Sequence, residues 1–129
     1  FILKEGMVMA KKYKTKEVGK ITKEVAKKCR IENYEDFPIL QSLGLPFHTS
    51  KHANDFNSVD NYNETLSNIN IIIKKPYYVK YNKDKNSLQY YGKIKQYTCV
   101  IVNILENNAY VSTMYPINKA KIDKIKNKK

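Results

Sequence analysis

The sequence contains no tryptophan and only one arginine, Arg30, among its 24 basic residues. Arginine makes the commonest specific contact to guanine in the DNA major groove, so direct reading of that groove is disfavoured. The two cysteines, Cys29 and Cys99, lie far apart in apolar-patterned segments. Free buried thiols are therefore favoured over a disulfide, and a reducing compartment is the expected place of action. No apolar run is long enough to span a bilayer.

The length of 129 residues fits one domain. We expect residues 1–14 to form a linker or a short leading strand, and residues 15–129 to form a single domain with a basic C-terminal tail. Because the sequence starts with Phe1 and not with methionine, we expect it to be a piece of a longer protein, whose export route it does not reveal. Nothing in the sequence indicates a cofactor.

Positive charge is the strongest compositional signal, with a formal net charge of +12 at pH 7. Residues 1–30 contain ten basic and three acidic side chains, residues 31–73 one and six, and residues 74–129 thirteen and three. An acidic middle is thus flanked by two basic arms, which attract a polyanion through counterion release. The eleven tyrosines add rings that stack and hydroxyls that hydrogen-bond. A Lys- and Asn-rich chain can also simply reflect an AT-rich genome.

The first half of the domain favours helices and one buried strand. Thr15 can cap a helix over 16–29, which has an apolar stripe on one face and lysines on the other. The apolar run Phe37–Leu40 predicts a buried strand. A second amphipathic helix over 60–75 must end before Pro76, because proline disfavours helix in the residue that precedes it.

From Tyr77 onward the apolar pattern changes to a period of two, which predicts four strands. The predicted strands are Tyr77–Tyr81, Ser87–Ile94, Tyr97–Leu105 and Ala109–Tyr115. Their short polar connections favour an antiparallel meander, and the basic tail after Pro116 can form a helix. The expected fold class is therefore α+β, with N-terminal helices packed on a four-stranded antiparallel sheet.

His48 and His52 are the only histidines, and they lie four residues apart in the sequence HTSKH. Pro46 suits the first turn of a helix that would place both histidines on one face. A zinc pair is disfavoured because no glutamate lies between them and no compact third ligand follows, so no metal is expected. A structural pair that packs or caps is an alternative. Imidazole titrates closest to neutrality, which favours acid–base chemistry.

Metal-free cleavage of RNA needs a base for the 2′-OH, an acid for the departing 5′-oxygen, and cations or donors for the charge on the phosphorane. The histidines can transfer the protons, and lysines and hydroxyls can supply the rest. In the last strand, AYVSTMY, alternation puts Val111, Thr113 and Tyr115 on one face and Tyr110, Ser112 and Met114 on the other. Hydroxyls chosen only for β-propensity are the alternative.

Two tyrosine doublets, Tyr77-Tyr78 and Tyr90-Tyr91, lie in the predicted strands. Alternation puts one ring of each doublet on each face, so the exposed ring could stack on an unpaired base. We take Tyr78 and Tyr91 as the candidates for this contact. Packing remains the competing use of at least one ring in each pair.

Several segments, in their order and spacing, resemble the phage and prophage nuclease domains grouped with barnase, EndoU, colicin E5/D and RelE, and among these the third phage-encoded subgroup. The segments are GKITKEVAKKC, the strand that ends at Ser42, HTSKH, IIIKKPYYV, LQYYGKI and VSTMY. The resemblance covers about Gly19 to Tyr115. It implies a helical N-terminal layer on a four-stranded antiparallel sheet, RNase activity without metal, and a toxin or phage context that often includes a dedicated inhibitor.

By the same resemblance, His52 is the best candidate for a catalytic residue, His48 matches a preceding histidine, and Thr113 and Tyr115 match the terminal strand motif. The first hypothesis is thus a toxin endoribonuclease in which the two histidines act as base and acid, in an order left open. Thr113 and Tyr115 would donate to the phosphorane. The candidate RNA-binding residues are Lys51, Lys93, Lys95, Tyr78, Tyr91 and Ser112.

This hypothesis places the activity in the cytoplasm, including that of a target cell after delivery. It also predicts an acidic immunity or antitoxin protein that covers the histidine cleft. The second hypothesis is a non-catalytic RNA- or DNA-binding module, which would leave the polymer intact and tolerate replacement of both histidines. The third is a protein-interaction domain whose basic surface docks on an acidic partner.

Overall fold

The protein forms one mixed sheet with helices on both of its faces. The computed structural model describes residues 14–42 and 50–128, and at residues 50–52 it describes the backbone only. The strands are β1 (Thr15–Lys20), β2 (Pro38–Ser42), β3 (Tyr78–Asn82), β4 (Ser87–Lys93), β5 (Tyr97–Ile104) and β6 (Ala109–Pro116). The helices are α1 (Lys23–Lys28), α2 (Val59–Ser67), α3 (Ile69–Lys74) and α4 (Lys119–Asn127), with 3-10 helices η1 (Glu32–Tyr34) and η2 (Ser50–Asp55).

The strand order in the sheet is β1-β2-β6-β5-β4-β3. The four predicted strands of the second half are confirmed as β3 to β6, and they pair antiparallel as a meander. The predicted extent of the sheet is wrong, because β2 adds parallel to β6 and β1 adds antiparallel to β2. Over the described residues, the result is an α+β fold with a six-stranded mixed sheet.

The helix predicted over 16–29 is a strand followed by a shorter helix. Residues Thr15–Lys20 form β1, and α1 begins only after Thr22, whose hydroxyl accepts a hydrogen bond from the Val25 amide at 3.2 Å. Gly19 disfavours helix in this segment, and pairing with β2 satisfies the backbone hydrogen bonds of the segment instead. The helix ends where Arg30 takes a positive φ of 59°, which lets the chain turn back.

The inner face of the sheet packs against α3, and glycine allows the close approach. A Cβ on Gly19 in β1 would come within 2.7 Å of the Ile73 side chain, and one on Gly92 in β4 within 3.0 Å of Ile72. Strands β1 and β4 are four positions apart, which is about 19 Å in a flat sheet. A six-residue helix is about 9 Å long, so the sheet must curl around α3 for both contacts to form.

The single helix predicted over 60–75 is two helices that meet at Asn68. Ser58 caps α2 by accepting a hydrogen bond from the Asn61 amide at 3.0 Å, as expected for an N-cap serine. The Asn68 side chain donates to the Glu64 carbonyl at 2.8 Å, which closes the end of α2. Asparagine competes in this way with the backbone hydrogen bonds of a continuous helix. The predicted end of the helical segment before Pro76 is confirmed.

The C-terminal tail is a helix, and it packs on the outer face of the sheet. Ile122 of α4 is fully buried against Tyr91 and Cys99, and Ile125 packs beside it. Asn118 caps α4 by accepting from the Lys121 amide at 2.8 Å. The tail is therefore more than a charged extension, because it covers part of the outer face. In the part of the chain that the structure describes, no helix has the length and apolar content to cross a membrane.

The face assignment predicted for the last strand is wrong because β6 contains a β-bulge. Ile101 pairs with Thr113 while Val102 pairs with Val111, so Ser112 is an extra residue. The bulge reverses the alternation at this point. Val111 and Met114 both face the inner core, and Thr113 and Tyr115 both face outward.

Candidate functional site

Four side chains form a row across the outer face of the sheet. Tyr78, Tyr91, Cys99 and Tyr115 are direct neighbours in the register of β3, β4, β5 and β6. The Cys99 thiol is fully buried and hydrogen-bonds with the hydroxyls of Tyr91 and Tyr115. The Tyr91 hydroxyl also donates to Gln89 Oε1 at 2.8 Å. This network fixes the position of the tyrosine hydroxyls under α4.

The environment of Tyr91, Cys99 and Tyr115 keeps these three groups protonated. Burial raises the pKa of Tyr115 above its ordinary value, and the hydrogen bond with Cys99 raises it further. Burial is also the main cause of the raised pKa of Tyr91. The Cys99 pKa rises to about 11, again through burial. At neutral pH, Tyr115 is therefore a hydrogen-bond donor and not a base.

A cleft of about 520 Å³ lies beside α4, and we call it the α4 cleft. Tyr115, Gln89 and Tyr91 line its sheet side, and Lys80 of β3 and Lys121 of α4 add two exposed ammonium groups. Both lysines lie where a phosphate near Tyr115 would be within reach of positive charge. Neither is among the candidates from sequence, because no local pattern distinguishes them from the other lysines. Only the register of β3 and the docking of α4 bring them to this site.

A second cleft of about 520 Å³ lies at the β4–β5 turn, and we call it the turn cleft. The predicted phosphate-binding residues Lys93 and Lys95 line it together with Lys119 and Asp55. Lys95 lies 3.5 Å from Glu64, but both side chains are about half exposed, so this ion pair contributes little. The segment 116–118 lines both clefts. The lysines and the hydroxyl of Tyr115 thus lie on two sides of one short connection.

The 3-10 helix η2 lies beside β6, and Asp55 at its end lines the turn cleft. Phe56 follows directly and is buried in the core, which anchors the end of η2. Lys51 and His52 lie on η2, and the structure describes only their backbone. The backbone of His52 therefore belongs to the element that contacts β6, the strand of Thr113. His48 lies outside the described residues.

Thr113 points outward from β6 with a hydroxyl that has no partner. Its Oγ1 is buried and makes no hydrogen bond to any described residue. A buried hydroxyl without a partner is unfavourable, so this atom has a hydrogen-bonding capacity that the described residues leave unused. Ser112 is the extra residue of the bulge and is partly exposed.

The expectation of one exposed ring per tyrosine doublet is wrong for Tyr90 and Tyr91. Tyr90 is fully buried in the inner core, and Tyr91 is 2 % exposed because α4 and Tyr78 cover it. Its ring offers no free face for a base. Tyr78 is partly exposed, with its ring stacked on Tyr91 at a centroid distance of 6.3 Å. Tyr77 is 38 % exposed and donates to Asp123 at 2.7 Å.

The cysteines are free thiols, as predicted, with Cys29 half-buried and Cys99 buried. Among the described side chains, no group of three or more His, Cys, Asp or Glu is placed to hold a metal ion. The side chains of His48 and His52 are not among these described side chains. Their predicted role as a metal-free acid–base pair therefore stays a prediction.

No curated protein and no solved structure matches the chain. One family does match, over residues 16–124, and its description is phage-Barnase-EndoU-ColicinE5/D-RelE like nuclease 3. The match covers the sheet from the second residue of β1 onward and reaches into α4, so it includes η2, the turn cleft and every residue lining the α4 cleft except Ile125. The chain belongs to this family, and it is therefore a nuclease domain that acts on a nucleic acid.

Proposed function

We propose that this nuclease domain is a toxin-type endoribonuclease that cleaves RNA without a metal ion. The observation that supports it best is the position of η2, which carries His52, beside β6, the strand that carries Thr113 and Tyr115. The lysines of the α4 cleft and the turn cleft surround this place from two sides. Metal-free cleavage needs groups that transfer protons, hydroxyl donors and positive charge, and all three can meet there.

The reaction exchanges one phosphorus–oxygen bond for another. A base removes the proton of the 2′-OH, and the 2′-oxygen bonds to the adjacent phosphorus. The bond from phosphorus to the 5′-oxygen breaks, and an acid protonates that oxygen. The products are a 2′,3′-cyclic phosphate and a 5′-hydroxyl. We assign the two proton transfers to His52 and His48, in an order left open.

Tyr91, Tyr115 and Cys99 support the need for histidine in this mechanism. Their pKa values are raised, so they stay protonated at neutral pH and cannot serve as the base. Asp55 is the one carboxylate that lines the turn cleft among the described residues. It follows His52 by three residues, which is one turn of a 3-10 helix. We assign it the role of a positioning residue for His52.

The remaining groups bind the phosphate and stabilise its added charge. Thr113 and Tyr115 would donate hydrogen bonds to the phosphorane oxygens, and Ser112 is a further hydroxyl at the bulge. Lys51, Lys93 and Lys95 are proposed to hold the phosphate. The α4 cleft adds Lys80 and Lys121 to this set.

The test is incubation of the purified domain with cellular RNA in EDTA. We expect cleavage that leaves 2′,3′-cyclic phosphate ends and that His52→Ala lowers at least about a hundredfold, since general acid–base groups contribute about 10²- to 10⁴-fold. An oligoribonucleotide with a 2′-O-methyl group at the cut site should resist cleavage. Absence of cleavage of any cellular RNA would contradict the proposal.

Asn54→Ala is the matched control, because Asn54 is an exposed neighbour on the same 3-10 helix. It should cleave like the unmodified domain. Asp55→Asn should lower the rate less than His52→Ala and shift its pH profile, as expected of a positioning residue. If Asp55→Asn abolished cleavage and His52→Ala did not, the carboxylate would be the base and the assignment to His52 would be wrong.

The toxin context implies a site of action in the cytoplasm and an acidic inhibitor. We propose that such a protein covers both clefts, whose charge is positive. A small acidic reading frame directly downstream of this one would identify it. A downstream product that neither binds the domain nor blocks cleavage would count against the inhibitor.

A further inference from the structure

A third cleft, of about 680 Å³, lies at the β3 edge of the sheet and has no role in the proposed reaction. It is formed by the C-terminal ends of α1 and α3 and by the segment that enters β3. We call it the lysine–tyrosine groove, after Lys27, Lys28, Lys74, Lys75, Tyr77 and Tyr78. Its volume is within the range of about 300–1,000 Å³ found for ligand sites.

The groove has a concentrated positive charge that the protein does not neutralise. All four lysines are exposed, and none of them forms an ion pair with a described residue. Glu24 is the one acidic side chain that lines the groove among the described residues. Lysines in the last turn favour the helix dipole, which accounts for Lys27 and Lys28 as parts of α1. The dipole does not account for their convergence with Lys74 and Lys75 on a tyrosine-lined floor.

The floor of the groove can receive a base. Tyr78 is held on one side by stacking on Tyr91, and Lys28 Nζ lies 5.2 Å from its ring centroid. Lys28 is exposed, so a base can displace its ammonium group, which then becomes available to a phosphate. Because the ring of Tyr78 is already fixed, stacking on it has a low entropic cost. Pro76 and Val79 complete an apolar surface around it.

The groove continues from the α4 cleft along β3. Lys80 lines the α4 cleft and Tyr78 lines the groove, and the two residues lie on the same face about 7 Å apart. A strand that leaves the α4 cleft past Lys80 would therefore meet Tyr78 next. We propose that the lysine–tyrosine groove binds a single-stranded stretch of RNA that flanks the cut. This inference depends on the proposed function for the identity of the nucleic acid and the place of the cut.

Single-stranded RNA fits these observations better than a duplex or an acidic protein. Stacking on Tyr78 requires an unpaired base, which a duplex does not present. Carboxylates of an acidic protein could pair with the lysines, but they would leave the aromatic floor unused. The combination of four ammonium groups and an aromatic ring is typical of single-strand binding.

The first test compares two double variants that remove the same charge. Lys28→Gln/Lys75→Gln changes the groove, and Lys83→Gln/Lys85→Gln changes two exposed lysines of the β3–β4 turn. The probe is a single-stranded 2′-O-methyl oligonucleotide, which the domain cannot cleave. Each lost phosphate contact lowers the slope of log K against log salt by about 0.7 for single strands. The slope should therefore fall by about 1.4 for the groove variant and by much less for the Lys83→Gln/Lys85→Gln control.

The second test separates RNA from an acidic protein partner. Tyr78→Leu should weaken binding of the same oligonucleotide about fivefold or more, the least expected from loss of one stacked base, and Tyr78→Phe should bind normally. Neither substitution should change binding of polyglutamate. Equal RNA affinities for the groove variant and the Lys83→Gln/Lys85→Gln control would overturn the proposal. A loss confined to polyglutamate would overturn it as well, in favour of an acidic protein.

These binding assays are independent of cleavage, so the two proposals fail separately. If the domain cleaves no RNA, the oligonucleotide assays still decide whether the groove binds it. If the groove proposal fails, the groove variant still cleaves, and its KM for long and short oligoribonucleotides does not change. If both hold, the groove variant should raise the KM of long substrates, leave kcat unaltered, and cleave a dinucleotide normally.

Discussion

Thr113 is the residue at which chemistry and stability can be separated most clearly. Its Oγ1 is buried without a hydrogen-bond partner among the described residues. Thr113→Val removes this hydroxyl and keeps the shape of the side chain. The free energy of unfolding should stay the same or rise, because the hydroxyl satisfies no bond in the folded protein. The rate of RNA cleavage should fall about a hundredfold, as for loss of one donor to a developing negative charge.

Thr113→Ser is the control, because it keeps the hydroxyl and removes only a methyl group. Its cleavage rate should stay close to that of the unmodified domain, although its stability can fall by about 1 kcal/mol. Urea unfolding and single-turnover cleavage measure the two effects on the same preparations. A Thr113→Val variant that cleaves at the normal rate would exclude Thr113 from the site.

At the same scale, the bulge explains why part of the site could not be predicted. The sequence identifies Thr113 and Tyr115 as residues of one face, and the structure agrees. It does not reveal that Ser112 is an extra residue, so Val111 is wrongly placed on their face. A bulge depends on pairing with β5, and no local pattern in β6 reports the register of a neighbouring strand.

At the scale of elements, the segment 15–20 shows how tertiary pairing overrides a helical pattern. Its apolar spacing continues smoothly into α1, and this spacing favours one long helix. Gly19 is the contrary signal, since glycine weakens a helix and permits a close contact. The strands β3 to β6 were predictable because the period of two recurs in four segments, and three short polar turns join them. The parallel pairing of β2 with β6 joins segments about seventy residues apart, which no local pattern encodes.

The contact of α3 with β1 leads to a prediction about packing. Gly19→Ala would place a Cβ 2.7 Å from the Ile73 side chain, which is buried and held in place by the core. We expect a loss of about 1–3 kcal/mol in the free energy of unfolding, the range for overpacked cores. Gly92→Ala should cost less, because its Cβ would come no closer than 3.0 Å to Ile72. Urea unfolding of both variants measures the difference.

The reverse order of stability, with Gly92→Ala the weaker variant, would show that α3 rests mainly on β4. Equal stability of both variants and the unmodified domain would contradict the close packing of α3. Cleavage and RNA affinity should follow the folded fraction in both variants, because neither glycine lines the α4 cleft or the turn cleft.

At the scale of the whole molecule, folding merges the two basic arms that the sequence keeps apart. Lys27 and Lys28 come from the first arm, and Lys74 and Lys75 come from the second, yet all four line one groove. The acidic middle contributes η2 to the edge of the turn cleft. Charge counts predict attraction to a polyanion, but they cannot say which lysines converge. That information lies in the strand order and in the docking of α4.

The docking of α4 also determines how the whole domain responds to alkali. Burial under α4 raises the pKa of Cys99 from 9.0 to about 11, and it raises the pKa values of Tyr91 and Tyr115 above 10.0. The folded state therefore keeps protons that the unfolded state releases. The stability that these groups contribute is fully present below about pH 9, and it is lost as the pH rises towards 11 and beyond. Between its unfolded and folded pKa values, the Cys99 thiol lowers the free energy of unfolding by about 1.4 kcal/mol per pH unit.

Cys99→Ala isolates one part of this loss, because alanine does not titrate. Urea unfolding of both proteins between pH 7 and pH 11 should give curves that approach each other above pH 9. By pH 11 the stability of the unmodified domain should fall by about 2 kcal/mol more than that of the variant, as follows from the raised pKa of one fully buried thiol. The tyrosines should produce a remaining fall in both proteins. Parallel curves would mean that Cys99 is exposed to water, and hence that α4 does not cover the outer face.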